Sequence, residues 1–461
     1  MRFINREKEL NALNNARENN RAGFAVVYGK RRVGKTELIK QFLKRRPGVY
    51  FLSDKRPLAA QLKEVSLLLG EYFNDPFILE RGFGDWLQVF RYLKDKCVKP
   101  FVFAIDEFPY LIESDKSIPS LFQKGWDEYL KKSKVLLILS GSSISMMESE
   151  VLSHKSPLFG RRTAQIAVKP MSFHESRKFY PRSSFEQCLR TYAMAGGMPA
   201  YLNRMNPKLS PSENAVKNVF PPDKYLHNEP EFLLKEELRQ PRYYFEILRA
   251  MALGKTKFGE IASSTGLEKS LLTKYINVLE NLQFTVREYP VTENNPAKSK
   301  KGIYRVSDNF IKFWFNYIYP YKSRIEIGSY SGIIKNIHKT FFSHESLAYE
   351  KACLELLFKP GLLNFSPEKA GRWWDNNNEI DIAGLNEDKS KIVFAEVKWT
   401  KKPADTNIYY KLREKAAKVK WKNGKRKEYY VFFCKGGFTR EFVKLASTEK
   451  IKLVQNNKII I

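Results

Sequence analysis

The sequence predicts an α/β protein whose N-terminal part is a parallel sheet covered on both faces by helices. Three observations carry this expectation. Apolar Val26-Val27-Tyr28 runs into Gly29-Lys30-Arg31-Arg32-Val33-Gly34-Lys35-Thr36, a GxxxxGK[ST] pattern, and a helical stretch opens at Glu37. A second apolar run, Phe101-Val102-Phe103-Ala104-Ile105, ends in Asp106-Glu107. Between and after them, short apolar runs alternate with helix-periodic stretches, as parallel strands joined by crossover helices require.

The first stretch reads as strand, phosphate loop and helix. Gly29 and Gly34 allow the tight turns that aim backbone N–H groups at phosphate oxygens, and the helix start adds partial positive charge. Lys35 is placed to reach the β- and γ-phosphates and Thr36 to ligate Mg²⁺. Gly29, Lys30, Arg31, Arg32, Val33, Gly34, Lys35, Thr36 and Glu37 are therefore the candidate triphosphate-binding set. A strand at 48–52 and a mostly helical stretch at 57–96 follow. Asp106, ending the next strand, is expected to join Thr36 in holding the metal, and Glu107 to polarise the attacking water. The strand at 135–139 leads into Ser140-Gly141-Ser142-Ser143. A polar residue there can sense the γ-phosphate, and the sequence does not choose among the three serines. Arg161, in Phe159-Gly160-Arg161-Arg162-Thr163, is the candidate arginine for the γ-phosphate, with a surface arginine pair as the alternative.

Upstream, Phe3–Leu10 precedes a helix expected to run to about Asn20, with Phe3, Leu10 and Leu13 on one side. Its Asn5-Arg6-Glu7, placed before a P-loop strand, resembles the box that flanks the adenine in AAA+ and STAND ATPases, with an ordinary amphipathic first helix as the alternative. Downstream, a helical stretch from Ser172 to about Met205, containing Gly196-Gly197-Met198-Pro199, reads as a lid over the nucleotide. The Pro/Asn/Ser-containing stretch 206–230 reads as a linker with some local structure. The predicted division is 1–170, a phosphate-loop core; 171–230, lid and linker; 231–325, a helix-turn-helix region; and 326–461, a C-terminal α/β domain.

These motifs, in this order over roughly residues 1–230, resemble the archaeal-type ATPases, a family within the STAND branch of AAA+ proteins. The resemblance implies ATP rather than GTP as the ligand. It also implies a switch-like ATPase with slow hydrolysis and further domains appended to it.

Composition bounds the partners. The 461-residue chain has a net charge of +30 and is 43% hydrophobic. That is enough apolar content for packed cores, and the charge excess suits a polyanion, DNA first. The sequence does not decide between DNA and RNA, or whether the chain self-associates. No run approaches the ~18 apolar residues of a membrane helix, and Met1–Glu9 carries charge where a signal peptide would be apolar. The four cysteines form no CxxC pair and the five histidines no metal-ligand spacing, which fits reduced thiols and a cytoplasmic location.

Helical patterns at 243–253, 257–264 and 268–282, joined through Thr265-Gly266-Leu267, share the apolar positions Ile261, Leu267, Leu272, Ile276 and Leu279. A hairpin at 284–288 and 303–306 follows, around the basic loop 294–301. This is a winged helix-turn-helix pattern, open to two uses: contact with DNA phosphates, or internal packing. The aromatic run Asp308–Phe315 reads as a hydrophobic bridge between domains.

In the last domain Asp381 lies in Glu379-Ile380-Asp381-Ile382, and Glu396 and Lys398 alternate in Ala395-Glu396-Val397-Lys398-Trp399. Alternation puts Glu396 and Lys398 on one strand face, and a turn returns that strand toward Asp381. Two carboxylates and a lysine are equipment for metal-assisted phosphodiester cleavage. Asp381 and Glu396 would hold Mg²⁺, Glu350 would be a further acid on the metal side, and Lys398 would orient water or stabilise charge. The arrangement resembles the PD-(D/E)xK, or restriction-endonuclease-like, superfamily, with Ile380 where its motif has proline. An inert fold of the same shape, or an ATP-regulated scaffold, is the alternative. The basic run from Lys411 to Lys427, interleaved with Tyr409, Tyr410 and Trp421, is the expected phosphate-facing surface.

Overall fold

The structure is a computed structural model that describes residues 3–17, 21–238, 240–388 and 390–461. The chain divides into two compact units. One runs to Pro170 and takes in Met198–Ala200; the other comprises Met171–Gly197 and Tyr201–Ile461.

The first unit is built on five parallel strands, β1 (Gly23–Tyr28), β2 (Gly48–Leu52), β3 (Phe101–Asp106), β4 (Val135–Gly141) and β5 (Ala164–Ala167), in the order β2-β3-β4-β1-β5. Every residue of β3 and β4 is buried. These unbroken apolar runs fit strands covered on both faces. The register Val26–Leu139 and Tyr28–Gly141 between β1 and β4, with Ile105–Leu139 between β3 and β4, brings three strand ends to one edge. The loop after β1, the acids ending β3 and the serines ending β4 are thereby gathered at the carboxyl edge of the sheet. Around them lies a core in which Trp86, Phe90, Phe108 and Phe122 are buried and in mutual ring contact. Gly125 allows this closeness: a Cβ there would lie 2.0 Å from the Phe90 ring. The helix Trp86–Lys96 starts where Asp85 accepts the Gln88 N–H. The first helix spans Glu7–Arg17; its expected continuation to Asn20 lies outside the described residues.

In the second unit the helix Phe185–Ala195 opens with a capping box of Ser184 and Gln187. The stretch 206–230 is no linker. It holds the helix Pro211–Asn218, and Val219, Phe220 and Leu226 are fully buried. The sequence misled because Ser210 and Pro211 are turn formers that also start helices; Ser210 and Glu213 form a capping box with Pro211 just inside. The helix Glu229–Glu237 and then three more, Arg242–Ala252, Phe258–Thr265 and Lys269–Asn281, lead to an antiparallel pair, β6 (Thr285–Glu288) and β7 (Ile303–Val306). Ile261, Leu272, Ile276 and Leu279 are buried as expected, and Leu267 is half-buried. The helix Asn309–Tyr317 is capped by Asp308 and buries Phe310, Phe313, Trp314 and Phe315 completely.

The C-terminal part is a mixed six-stranded sheet in sequential order. Its strands are β8 (Lys369–Trp374), β9 (Glu379–Asn386), β10 (Lys391–Lys398), β11 (Lys427–Cys434), β12 (Lys452–Gln455) and β13 (Lys458–Ile459). β8, β9 and β10 form an antiparallel meander; β11 and β12 add in parallel through the helices Asn407–Ala417 and Arg440–Glu449. The segment joining β6 and β7 packs on this sheet. Val291 is buried in its core and its N–H donates to the Arg372 carbonyl at 2.9 Å. Lys369 Nζ donates to the Glu293 carbonyl at 3.1 Å. The segment just before the basic loop 294–301 thus serves internal packing. Among the described residues no helix is long and apolar enough to cross a membrane. The four cysteines are buried and unpaired with one another.

Candidate nucleotide site and a C-terminal acidic site

The loop after β1 has the backbone its glycines predict. Gly29 sits at φ 151° and Gly34 at φ 96°, with Arg32 at φ 68° between them. A Cβ on Gly29 would lie 2.3 Å from the Val168 carbonyl oxygen, so the residue after β5 leaves room there for glycine only. Lys35 begins the helix Lys35–Leu43 and is almost fully buried. Its Nζ donates to the carbonyls of Gly29 at 2.9 Å and Lys30 at 3.2 Å, folding the ammonium into the loop. Val33 is buried, Arg31 Nη2 donates to Tyr110 at 3.1 Å, and Glu37 is exposed in the first helical turn.

Thr36 and the acids of β3 meet. The Thr36 hydroxyl donates to Asp106 Oδ2 at 2.6 Å, and the Glu107 N–H donates to Asp106 Oδ1 at 3.0 Å. Asp106 is fully buried. Such a carboxylate needs its lone pairs filled, and a residue the sequence reading had not singled out helps. The Tyr50 hydroxyl, from β2, donates to Asp106 Oδ2 at 2.9 Å. Burial, and then the Asp106 charge, raise the Tyr50 pKa far above its ordinary value, so it stays a donor. Glu107 sits at φ 53°, a strained backbone for a non-glycine residue. Its Oε2 accepts from the Ser142 hydroxyl at 2.7 Å and from the Ser142 N–H at 3.1 Å. Among the three serines, Ser142 is thus the one that holds the candidate catalytic acid. Ser140 is buried in β4, with its carbonyl accepting from Phe108, and the Ser143 carbonyl accepts from Met147.

Arg6 is a second residue the sequence reading left without a role. It is buried, and its Nη2 donates to the carbonyls of Val33 at 2.9 Å and Lys169 at 2.8 Å, bracing the loop against the segment after β5. The Asn5-Arg6-Glu7 box was the available signal. Arg161 is engaged elsewhere. Its Nε and Nη2 donate to the Asp127 carboxylate and its Nη1 to the carbonyls of Pro157 and Phe159.

In the second unit the structure brings together Asp381, Glu396 and Lys398. The Ile382–Ala395 register between β9 and β10 sets Asp381 beside Glu396 and Val397, and the Val397 N–H donates to Asp381 Oδ2 at 2.8 Å. Burial, then the Glu396 charge, push Asp381 up to about 6. Glu396 is nearly buried and receives two ammonium groups, Lys398 Nζ at 2.7 Å and Lys415 Nζ at 3.4 Å. Glu350 projects from the helix Phe342–Leu357 and pairs with Arg372 at 3.4 Å, while Arg372 also binds Glu379. Burial is the main cause that pushes Glu350 up to about 7, and the neighbouring Asp381 charge adds to it. The expected set of three metal-holding acids is not assembled: among the described residues no three of His, Cys, Asp and Glu are grouped so as to hold a metal ion. The basic run is partly structural too. Arg426 donates to the carbonyls of Ala416, Val419 and Trp421, Lys418 to Asn378, and Lys422 to the Glu387 carbonyl.

Comparison with known proteins bears on both units. Residues 3–205 match an ATPase domain found predominantly in Archaea. Residues 314–418 match a family of archaeal and bacterial proteins of unknown function. An uncharacterised protein of Methanocaldococcus jannaschii is 38% identical over 401 residues, covering 86% of this chain and 87% of that protein. An uncharacterised ATP-binding protein of the same organism is 51% identical over 41 residues, which is 9% of this chain and 70% of that one. A Walker-type ATPase of Pyrococcus abyssi superposes with a TM-score of 0.50 at 21% identity, covering 68% of this chain and 96% of that one. A glycine-bounded loop after β1, the hydrogen bond from Thr36 to buried Asp106 at the sheet edge and an archaeal relative matched over 86% of this chain agree: the chain belongs to the archaeal ATPase family, with an N-terminal P-loop domain and a C-terminal region of the second family.

Proposed function

We propose that the chain is a nucleotide-controlled switch ATPase that binds MgATP in the first unit and acts on DNA through the second. The observation that carries the nucleotide reading is the chain of contacts Thr36–Asp106–Glu107–Ser142 at the edge where the phosphate loop opens. These residues fit the nucleotide and its metal. Gly29 and Gly34 provide the cradle, Lys35 the mobile cation for the β- and γ-phosphates, and Thr36 and Asp106 hard oxygen ligands for Mg²⁺. A bound Mg²⁺ supplies charge neutralisation between phosphate oxygens. Glu107 accepts a proton from water or orients it, and Ser142 fixes the carboxylate that does so.

Support for DNA as the partner comes from the net charge of +30 and from the three helices with a following hairpin, the element order of a winged helix. The meander β8-β9-β10 followed by helix and parallel strand carries Asp381, Glu396 and Lys398 together, which supports the metal-dependent nuclease reading. A second reading, an ATP-regulated scaffold with an inert C-terminal fold, is favoured by the ion pairs that already neutralise Glu396 and Glu350. A cleavage assay on single- and double-stranded DNA and RNA, with Mn²⁺ and with or without ATP, separates the two. The nuclease reading expects cutting that Asp381→Ala and Glu396→Ala each abolish and Lys398→Ala slows. No cutting in any nucleotide state leaves the scaffold.

A further inference from the structure

The second unit encloses a cavity of about 540 Å³ between the helix Phe342–Leu357, the β6–β7 hairpin and the edge of the C-terminal sheet. Glu350 and Asp381 reach its wall, but most of it belongs to neither candidate site above. Its size is within the range of small-molecule pockets, about 300–1,000 Å³. Met251, Val286 and Leu347 give it apolar surface, while Arg305, Lys312, Lys351 and Arg372 give it cations.

The cations are not equivalent. Arg305 is paired with Glu288 at 3.0 Å, and Arg372 with Glu350 and Glu379. Among the described residues, Lys312 and Lys351 have neither a carboxylate at ion-pair distance nor a hydrogen-bond acceptor. On the cavity wall Lys351 is exposed and Lys312 half-buried. Burial, and then the like charges of Arg305 and Lys351, push Lys312 down to about 8, with Glu350 opposing. Two lysines held near one another with no counterion at contact distance, beside apolar surface, favour an anion that carries an apolar body. A phosphate supplies the acceptor oxygens, since each ammonium offers three donors. A nucleobase supplies the flat apolar part.

We propose that this cavity is a second site, independent of the phosphate loop, for a small phosphorylated ligand of nucleotide size. Lys312 and Lys351 bind its phosphate, and Met251, Val286 and Leu347 lie against its base. Binding there does not depend on whether Asp381 and Glu396 hold a metal.

The test is isothermal titration of the full chain carrying Lys35→Ala, with pyrophosphate and a 5′-phosphorylated dinucleotide as probes. The expected result is one saturable dinucleotide site, tighter than that for pyrophosphate. Adding Lys312→Gln and Lys351→Gln weakens it by about thirtyfold or more, the loss of two charge-assisted hydrogen bonds, while Lys312→Arg with Lys351→Arg retains it. The wild-type chain saturated with ADP gives the same dinucleotide affinity, which removes dependence on how well the Lys35→Ala chain folds. The Gln pair made in the wild-type background keeps wild-type ATP affinity, which excludes a general folding defect. Abolition of dinucleotide binding by ADP, equal affinity in the Gln variant, loss of ATP affinity in that variant, or pyrophosphate binding as tightly as dinucleotide would each overturn the proposal.

Discussion

Ser142→Ala tests the one catalytic contact that the fold adds to the motif. The Ser142 hydroxyl lies 2.7 Å from Glu107 Oε2, and its backbone N–H reaches the same oxygen at 3.1 Å. Alanine removes the first bond and keeps the second. A hydrogen bond to an ionised acceptor contributes about 1.5–3 kcal/mol. Ser142 is 3% exposed, but Glu107 is only half-buried, so water replaces part of the loss. The remaining ~1.5–2 kcal/mol corresponds to a fall in kcat of roughly 10–30-fold, at about 1.4 kcal/mol per tenfold. The hydrogen bonds of Ser142 run to Glu107 and not to the phosphate loop's ligands, so ATP affinity should move by less than about threefold. Phosphate release under saturating MgATP gives kcat, and titration with ATP gives Kd. A kcat that stays at wild type or rises would refute the positioning role, as would an equal loss in Kd.

Three further outcomes follow from contacts described above. Glu107→Gln should retain ATP and lower kcat more than Ser142→Ala does, because it removes the carboxylate itself; phosphate release checks this. In the basic run, Lys418 and Lys422 have partners within the protein, whereas Lys420 and Lys425 are exposed. The pair Lys420→Ala and Lys425→Ala should therefore flatten the log–log salt dependence of DNA binding by roughly one unit per lost phosphate contact, read by fluorescence anisotropy. Two buried histidines should make an acid-sensitive contribution to the second unit. Burial pushes His344 down to about 3 and His174 to about 4, from an ordinary 6.5. At these two sites the unfolded chain binds more protons than the folded one below pH 6.5, so their contribution is full above pH 6.5 and is lost as pH drops toward 4 and 3. Glu350 and Asp381, raised to about 7 and about 6, contribute with the opposite sign over part of that range. Urea denaturation should therefore be read as a difference: His344→Gln should lose less stability than the wild-type chain between pH 6.5 and pH 4.

Much of the first unit was legible in the sequence because its signals are local. The strand at 48–52 was read at its observed limits, since Gly48 and Ser53 bound four apolar residues. Thr36 and Asp106 were readable because loop chemistry fixes their types. Tyr50 was not, because it acts through a neighbouring strand, and register is a long-range property. Arg6 likewise acts across the loop on Val33 and Lys169. In the second unit, alternation placed Glu396 and Lys398 on one face. Alternation could not show that Lys415 and Arg372 would arrive to neutralise the acids, nor that Val291 would pack the segment before the basic loop onto β8. The stretch 206–230 was misread because turn-forming residues there serve as caps.

The central claim is that the loop from Gly29 to Thr36 binds MgATP. Isothermal titration of the full chain with ATP, with and without Mg²⁺, tests it most directly against Lys35→Ala. The account predicts one ATP site in the wild-type chain that Mg²⁺ strengthens and Lys35→Ala abolishes. Wild-type protein that binds no ATP, or Lys35→Ala protein that binds it equally well, would contradict the account.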